Sequence, residues 1–154
     1  MTKDKTVLVT VGSTRFDALI FNIQQKSVQR ALMSQGFSKI VVQYGKSQDI
    51  FNQWVPIDEQ FQKSNLIISH AGSGSIIEAL ELKKKLIVVV NETLMDNHQK
   101  ELTQIMTDEK YLISSTPENL LYAIQDLNKK ELRPFLFPNK PTFQKILDNQ
   151  MGFN

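Results

Sequence analysis

Leu66-Ile67-Ile68-Ser69-His70-Ala71-Gly72-Ser73-Gly74-Ser75-Ile76-Ile77-Glu78-Ala79-Leu80 is the stretch that decides the fold. An apolar run stops at a histidine. A loop of small residues follows, and an amphipathic segment opens behind it with Glu78 expected in its first turn. That order predicts strand, tight turn and helix N-terminus. The first amides of a helix have no partner inside it and carry partial positive charge, so they suit an anion such as a phosphate. The loop is neither Gly-x-x-x-x-Gly-Lys-Ser/Thr nor Gly-x-Gly-x-x-Gly.

The same alternation recurs on both sides. Thr6 to Val11 reads as a strand buried on both faces, broken at Gly12-Ser13-Thr14. Residues 16–35 carry apolar side chains at helical spacing and predict one helix, with Gly36 as its C-cap. Lys39 to Tyr44 predicts a second strand closed by Gly45, and Trp54-Val55 before Pro56 a short third. Residues 58–63 read as a short helix. Leu66 to Ser69 is a strand, with a helix from Ser73 or Ser75 to about Lys84. Leu86 to Val90 is a strand, 98–109 a helix and Tyr111 to Ile113 a short strand. Thr116-Pro117-Glu118 signals a helix start, with Thr as N-cap, running to about Lys129. Strands alternating with helices, most strands uniformly apolar, predict an α/β fold: a Rossmann-like parallel sheet with helices on both faces. Its domain spans 1–133. Residues 134–154 form a proline-rich tail, with Pro134, Pro138 and Pro141, ending in a short helix at 142–150 that packs on the domain or on a partner.

Composition bounds the function. The 154 residues are 41% hydrophobic and 22% charged, with no cysteine and a formal charge of +2. The absence of cysteine removes disulfides, thiolate metal sites and a Cys nucleophile, and fits a reducing compartment. The charge is too small to argue for nucleic acid. No apolar run approaches the roughly 20 residues of a membrane span, and the opening run is too short and wrongly flanked for a secretory leader. The two histidines, His70 and His98, are too few for a His-rich metal site, and no Asp-x-Asp pair occurs.

In a parallel sheet, ligands sit beyond the carboxyl ends of the strands. Each group there has a second reading. The loop His70, Ala71, Gly72, Ser73, Gly74, Ser75 is a diphosphate cradle or a turn that needs small residues. Glu78 accepts two ribose hydroxyls or stabilises a helix N-terminus. His70 bonds a phosphate, acts as a base, or is structural. Asp96-Asn97-His98-Gln99 reads sugar hydroxyls or caps a helix. Gly12-Ser13-Thr14 is a second phosphate-facing loop or only a turn. Lys83-Lys84-Lys85 is a solvated helix end.

Three segments together resemble a known family: Val9-Thr10-Val11-Gly12-Ser13, Ile67 to Ile76, and Val90-Asn91-Glu92-Thr93-Leu94-Met95-Asp96-Asn97-His98-Gln99. They look like the small catalytic subunit of eukaryotic UDP-N-acetylglucosamine transferase. That subunit is similar to the C-terminal domain of the bacterial N-acetylglucosaminyltransferase that forms lipid II. The resemblance implies the C-terminal, donor-binding half of a GT-B glycosyltransferase. The implied reaction is inverting, metal-independent transfer of N-acetylglucosamine from UDP-N-acetylglucosamine to N-acetylglucosaminyl-diphosphodolichol. It also implies a membrane-anchored, acceptor-binding partner subunit that supplies the general base, and a cytoplasmic protein recruited to the cytosolic face of the endoplasmic reticulum. By the same resemblance Glu78 holds the ribose and residues 70–75 face the diphosphate. Ile57 meets the uracil, Asn97, His98 and Gln99 read the donor sugar, and Gly12 and Ser13 lie near the acceptor. The 45–56 linker is shorter than the family leads one to expect. The rival readings are a non-catalytic nucleotide- or UDP-sugar-binding regulatory module and a free-standing small doubly wound enzyme.

Overall fold

The computed structural model describes residues 5–12, 14–47, 62–91 and 97–135, without the side chains of Ser73, Asn97 and His98. Five strands form one sheet: β1 (Lys5–Thr10), β2 (Phe37–Gln43), β3 (Leu66–His70), β4 (Lys85–Val89) and β5 (Ile113–Ser115). Their order is β2-β1-β3-β4-β5, and every pair is parallel. The helices are α1 (Asp17–Ile23), α2 (Lys26–Ser34), α3 (Ser73–Glu81), α4 (Asn97–Asp108) and α5 (Leu120–Gln125), with a 3-10 turn at Leu127–Lys129.

Alternation along the strands builds two cores. Val7, Val9, Leu66, Ile68, Ile87 and Val89 meet Leu19, Ile20 and Ile23 of α1, Val28 and Leu32 of α2, and Leu120 and Ile124 of α5. On the other face, Leu8, Ile67, Leu86 and Val88 meet Ile76, Ala79 and Leu80 of α3 and Leu102 and Met106 of α4. Helices thus cover both faces of a parallel sheet, as the sequence predicts. Each fully buried aliphatic side chain here contributes about 1.5–3 kcal/mol. Among the described residues, no helix is long and apolar enough to cross a membrane.

Several boundaries differ from expectation for identifiable reasons. The single helix expected over 16–35 is two. Gln25 is extended (φ −66°, ψ 136°) and becomes the N-cap of α2. The side-chain amides of Gln24 and Gln25 donate to the carbonyls of Ile20 and Phe21, which a continuing helix would have used. β2 begins two residues early, at Phe37, directly after Gly36, whose amide donates to the Met33 carbonyl. β5 begins two residues late. Lys110 donates to the Thr107 carbonyl and Tyr111 to that of Met106, a helix-ending double bond that keeps Tyr111 out of the strand. Thr116 does act as a cap acceptor, taking the Asn119 amide on its hydroxyl at 3.3 Å, but what it closes is a turn, and α5 starts at Leu120. The expected third strand and the 142–150 helix lie outside the described residues, as does most of the 58–63 helix. At the start of the expected tail, Phe135 packs edge-on to Tyr111, with ring centroids 4.7 Å apart.

Gly45 locks the turn after β2 against the turn after β1. Its φ is +53°, and a Cβ there would lie 2.4 Å from the Thr14 carbonyl oxygen and 2.8 Å from that of Gly12. Lys46 donates to the Thr14 carbonyl at 3.0 Å, and the buried Ser47 hydroxyl accepts the Phe16 amide at 3.0 Å. Gly45→Ala should therefore lower the unfolding free energy by about 2–3 kcal/mol. Urea unfolding of the two proteins measures it.

Candidate functional site

The strand order places a switch point between β1 and β3. From β1 the chain turns to α1 and α2 on one face and returns as β2. From β3 it turns to α3 on the other face and continues to β4. β1 and β3 are direct neighbours, with Thr10 opposite Ser69. The two loops beyond them therefore diverge and leave a crevice at the carboxyl edge, where such sheets hold ligands.

His70 ends β3 at this crevice, and backbone confines its ring. A Cβ on Gly12 would lie 2.9 Å from Cε1 of the ring, and one on Gly72 would lie 2.3 Å from Nε2. Only glycine tolerates those approaches. Gly12 also has φ +62°. Burial holds the imidazole below the usual histidine range, and the Thr10 backbone pulls less strongly the other way. Nδ1 is buried and has no hydrogen-bond partner among the described residues. A buried nitrogen without a partner costs stability.

Gly72, extended at φ −84° and ψ 132°, is the N-cap of α3, and among the described residues no side chain caps that helix. The first ladder bond runs from the Ile76 amide to the Gly72 carbonyl at 3.1 Å. The amides of Ser73, Gly74 and Ser75 precede it and are the ones a helix leaves for an outside acceptor. Gly74 differs from Gly72, because a Cβ on it would meet nothing within 4 Å. Packing does not require that glycine, and it leaves space in front of the amides.

One expectation is corrected. Glu78 is not in the first turn of α3, which holds no acidic residue. The helix begins at Ser73, directly behind Gly72, so Glu78 is its sixth residue. It is exposed and lies three and four residues beyond Ser75 and Gly74, on the face they share. Helical side chains in general lean toward the N-terminus, which is the direction of Gly74 from Glu78. The role of dipole stabiliser thereby weakens, because that effect fades beyond the first turn.

Asn97, His98 and Gln99 open α4, beyond β4 at the same sheet edge, where His70 pairs in register with Val89. Thr103 donates to the Gln99 carbonyl at 2.9 Å. Ala71 is buried against the α3–α4 side of the sheet. Ser13 and Ile57 lie outside the described residues. Among the described residues, no three His, Asp or Glu side chains gather as a metal site. A cavity of about 500 Å³ lies between α4 and α5, lined by Lys100, Thr103, Asn119 and Tyr122 and by Val90 and Ser115 at the carboxyl ends of β4 and β5. None of the expected site residues that the structure describes lines it.

Sequence reasoning missed Gln43. The only signal was an amide closing an otherwise apolar strand end. Its Oε1 accepts from Thr10 Oγ1 at 2.7 Å and from the Val11 amide at 3.2 Å, and its Nε2 donates to the Gly12 carbonyl at 2.6 Å.

The N-terminus of α3 and the buried His70 ring meet at the switch point of the sheet, where an anionic ligand would fit, and the comparisons give the class of protein. Residues 6–149 match the glycosyltransferase family 28 C-terminal domain, and the chain belongs to that family. It is 37% identical over 125 residues to the UDP-N-acetylglucosamine transferase subunit ALG13 of Homo sapiens, covering 73% of this chain. The chain spans only 11% of that human protein's length. It is 32% identical to the Kluyveromyces lactis protein of the same name, over 95% of this chain and 98% of the relative. The NMR solution structure of ALG13 superposes with a TM-score of 0.69 at 25% identity, covering 94% of this chain and 96% of that one. MurG of Acinetobacter baumannii shares the fold at a TM-score of 0.53 and 16% identity, with 84% of this chain covering 41% of its length. The fold is thus the Rossmann-like C-terminal half of a GT-B glycosyltransferase.

The two glycines of the α3 loop should separate on mutation. Gly72→Ala forces the His70 ring aside and should cost about 1–3 kcal/mol. Gly74→Ala should leave stability unchanged or raise it by up to about 1 kcal/mol, since alanine suits a helix better. Thermal unfolding of both distinguishes them.

His70 also sets a pH dependence. Its folded pKa lies below the unfolded value of about 6.5. Between those two values the unfolded chain binds more protons, so stability falls as pH falls through that window. His70→Gln removes this term. The stability difference, wild type minus H70Q, should shrink from pH 7.5 to 5.5, at up to about 1.4 kcal/mol per unit. Urea unfolding at both values checks the sign.

Proposed function

We propose that this chain binds UDP-N-acetylglucosamine at the carboxyl edge of its sheet. On this reading it is the catalytic subunit that passes N-acetylglucosamine to N-acetylglucosaminyl-diphosphodolichol. The observation that carries the reading is the N-terminus of α3, open at Gly74, with the His70 ring packed against its N-cap Gly72. The family match and the printed name of the relatives support the donor and the transferase class.

On this reading the diphosphate lies across the amides of Ser73, Gly74 and Ser75, with His70 beside it. Negative charge grows on the departing UDP, and fixed amides stabilise that charge without reorganising. The neutral ring donates a hydrogen bond and need not carry a full charge. Glu78 accepts the two ribose hydroxyls. Asn97, His98 and Gln99 meet the sugar, Gly12 and Ser13 face the acceptor, and Ile57 the uracil. Acceptor attack on the anomeric carbon from the side opposite UDP inverts the configuration. The attacking hydroxyl needs a general base, which this reading assigns to a membrane-anchored, acceptor-binding subunit at the cytosolic face of the endoplasmic reticulum. Transfer needs no metal on this reading, in keeping with the absence of an Asp-x-Asp pair.

Calorimetry tests the first half. UDP-N-acetylglucosamine should bind more tightly than UDP-glucose, and Glu78→Ala should weaken it about 10- to 100-fold, the loss of charge-assisted hydrogen bonds. Equal weak binding of UDP, UDP-glucose and UDP-N-acetylglucosamine would instead favour the non-catalytic module. Co-expression with the membrane subunit tests the second half. Transfer should require both chains and persist in EDTA, and robust transfer by the purified chain alone would overturn the division of labour.

A further inference from the structure

We propose that Gln43 is a positioning residue for this site: by fixing the backbone of residues 10–12 it sets the seat of the His70 ring beside the N-terminus of α3. The link to the donor rests on the reading above. The link to the ring does not.

Gln43 ends β2, opposite Thr10 in register. Its three side-chain hydrogen bonds among the described residues go to the end of β1 and the loop after it. Oε1 accepts from Thr10 Oγ1 and from the Val11 amide, and Nε2 donates to the Gly12 carbonyl. The orientation of the amide is set by these partners. Reversed, it would press its NH2 on the Val11 N–H and its oxygen on a carbonyl. Thr10 Oγ1 passes the restraint on by accepting the Gly12 amide at 3.2 Å. Both polar groups of the Gly12 backbone are thereby held through one side chain, directly or at one remove.

Gly12 is the residue that meets the ring. Its backbone is close enough that a Cβ would reach Cε1 at 2.9 Å, and Gly72 closes on the same imidazole through Nε2. A chain of contacts therefore runs from Gln43 to Gly12, to His70, to Gly72, and so to the first residue of α3. If Gly12 moves, the ring loses one of its two walls. His70 is the only group on this path that titrates near neutrality, so it reports on the path.

The experiment uses the full chain and two substitutions. Q43L removes all three hydrogen bonds at similar volume. Q43E keeps both acceptor contacts and sets a carboxylate oxygen against the Gly12 carbonyl, breaking that link alone. Imidazole NMR follows both histidines, with His98→Gln assigning the signals and His98 serving as the internal control. In each variant the His70 signals should shift and their midpoint climb toward about 6.5, while His98 stays. UDP binding by calorimetry should weaken about tenfold, the scale of one lost hydrogen bond. If Q43L unfolds below the working temperature, Q43E decides. Wild-type His70 signals in a folded Q43E would overturn the proposal. So would a displaced ring with unchanged UDP affinity, because the residue would then be structural only. If the wild-type chain itself binds no UDP, the donor reading fails, and the ring titration alone decides whether Gln43 seats His70.

Discussion

Parallel pairing of β1 with β3, Thr10 against Ser69, brings to one edge two loops that leave it in opposite directions. The crevice between them is a consequence of strand order. It would exist whatever the loops contained. What the loops contain decides how far it closes. At Gly12 and Gly72 both close on the His70 ring so tightly that neither leaves room for a methyl group. His70 has no room to swing out, and its depressed basicity follows from that confinement.

Glycine serves two different purposes in this short region. Gly12, Gly45 and Gly72 are glycines because protein atoms occupy the place of a side chain. A Cβ on Gly74 would meet no described atom within 4 Å. A helix position filled by glycine without a packing reason carries a stability cost relative to alanine. That cost, at the one point where the α3 amides face outward, is the physical argument for a ligand approaching the backbone.

Much of this was legible in the sequence, for reasons that can be named. β-Branched, uniformly apolar runs such as Val7 to Val9 and Leu86 to Val89 can only be parallel strands buried on both faces, and the small-residue loop behind Leu66 to Ser69 marks the site. What escaped were local competitions among backbone acceptors. Gln24 and Gln25 end a helix by taking its carbonyls, and the Lys110–Tyr111 pair of bonds delays β5. Glu78 was read one turn too early because loop and helix residues, Ser73 to Ser75, are alike in composition. Gln43 escaped because its importance lies in three partners thirty residues away in the chain. No period or spacing encodes that.

The balance of charge at the α3 terminus also explains why the ring should be neutral when the crevice is empty. The helix end carries about half a positive charge. An imidazolium beside it, stripped of water, would face repulsion and desolvation together. Neutral imidazole avoids both and still offers one N–H. On the donor-binding proposal, a diphosphate would reverse the argument, since its negative charge favours a proton on the ring that burial had disfavoured. Burial and ligand therefore pull the same group in opposite directions. Burial between backbone walls keeps the His70 ring neutral, and an anion seated between the two loops would favour its protonated form.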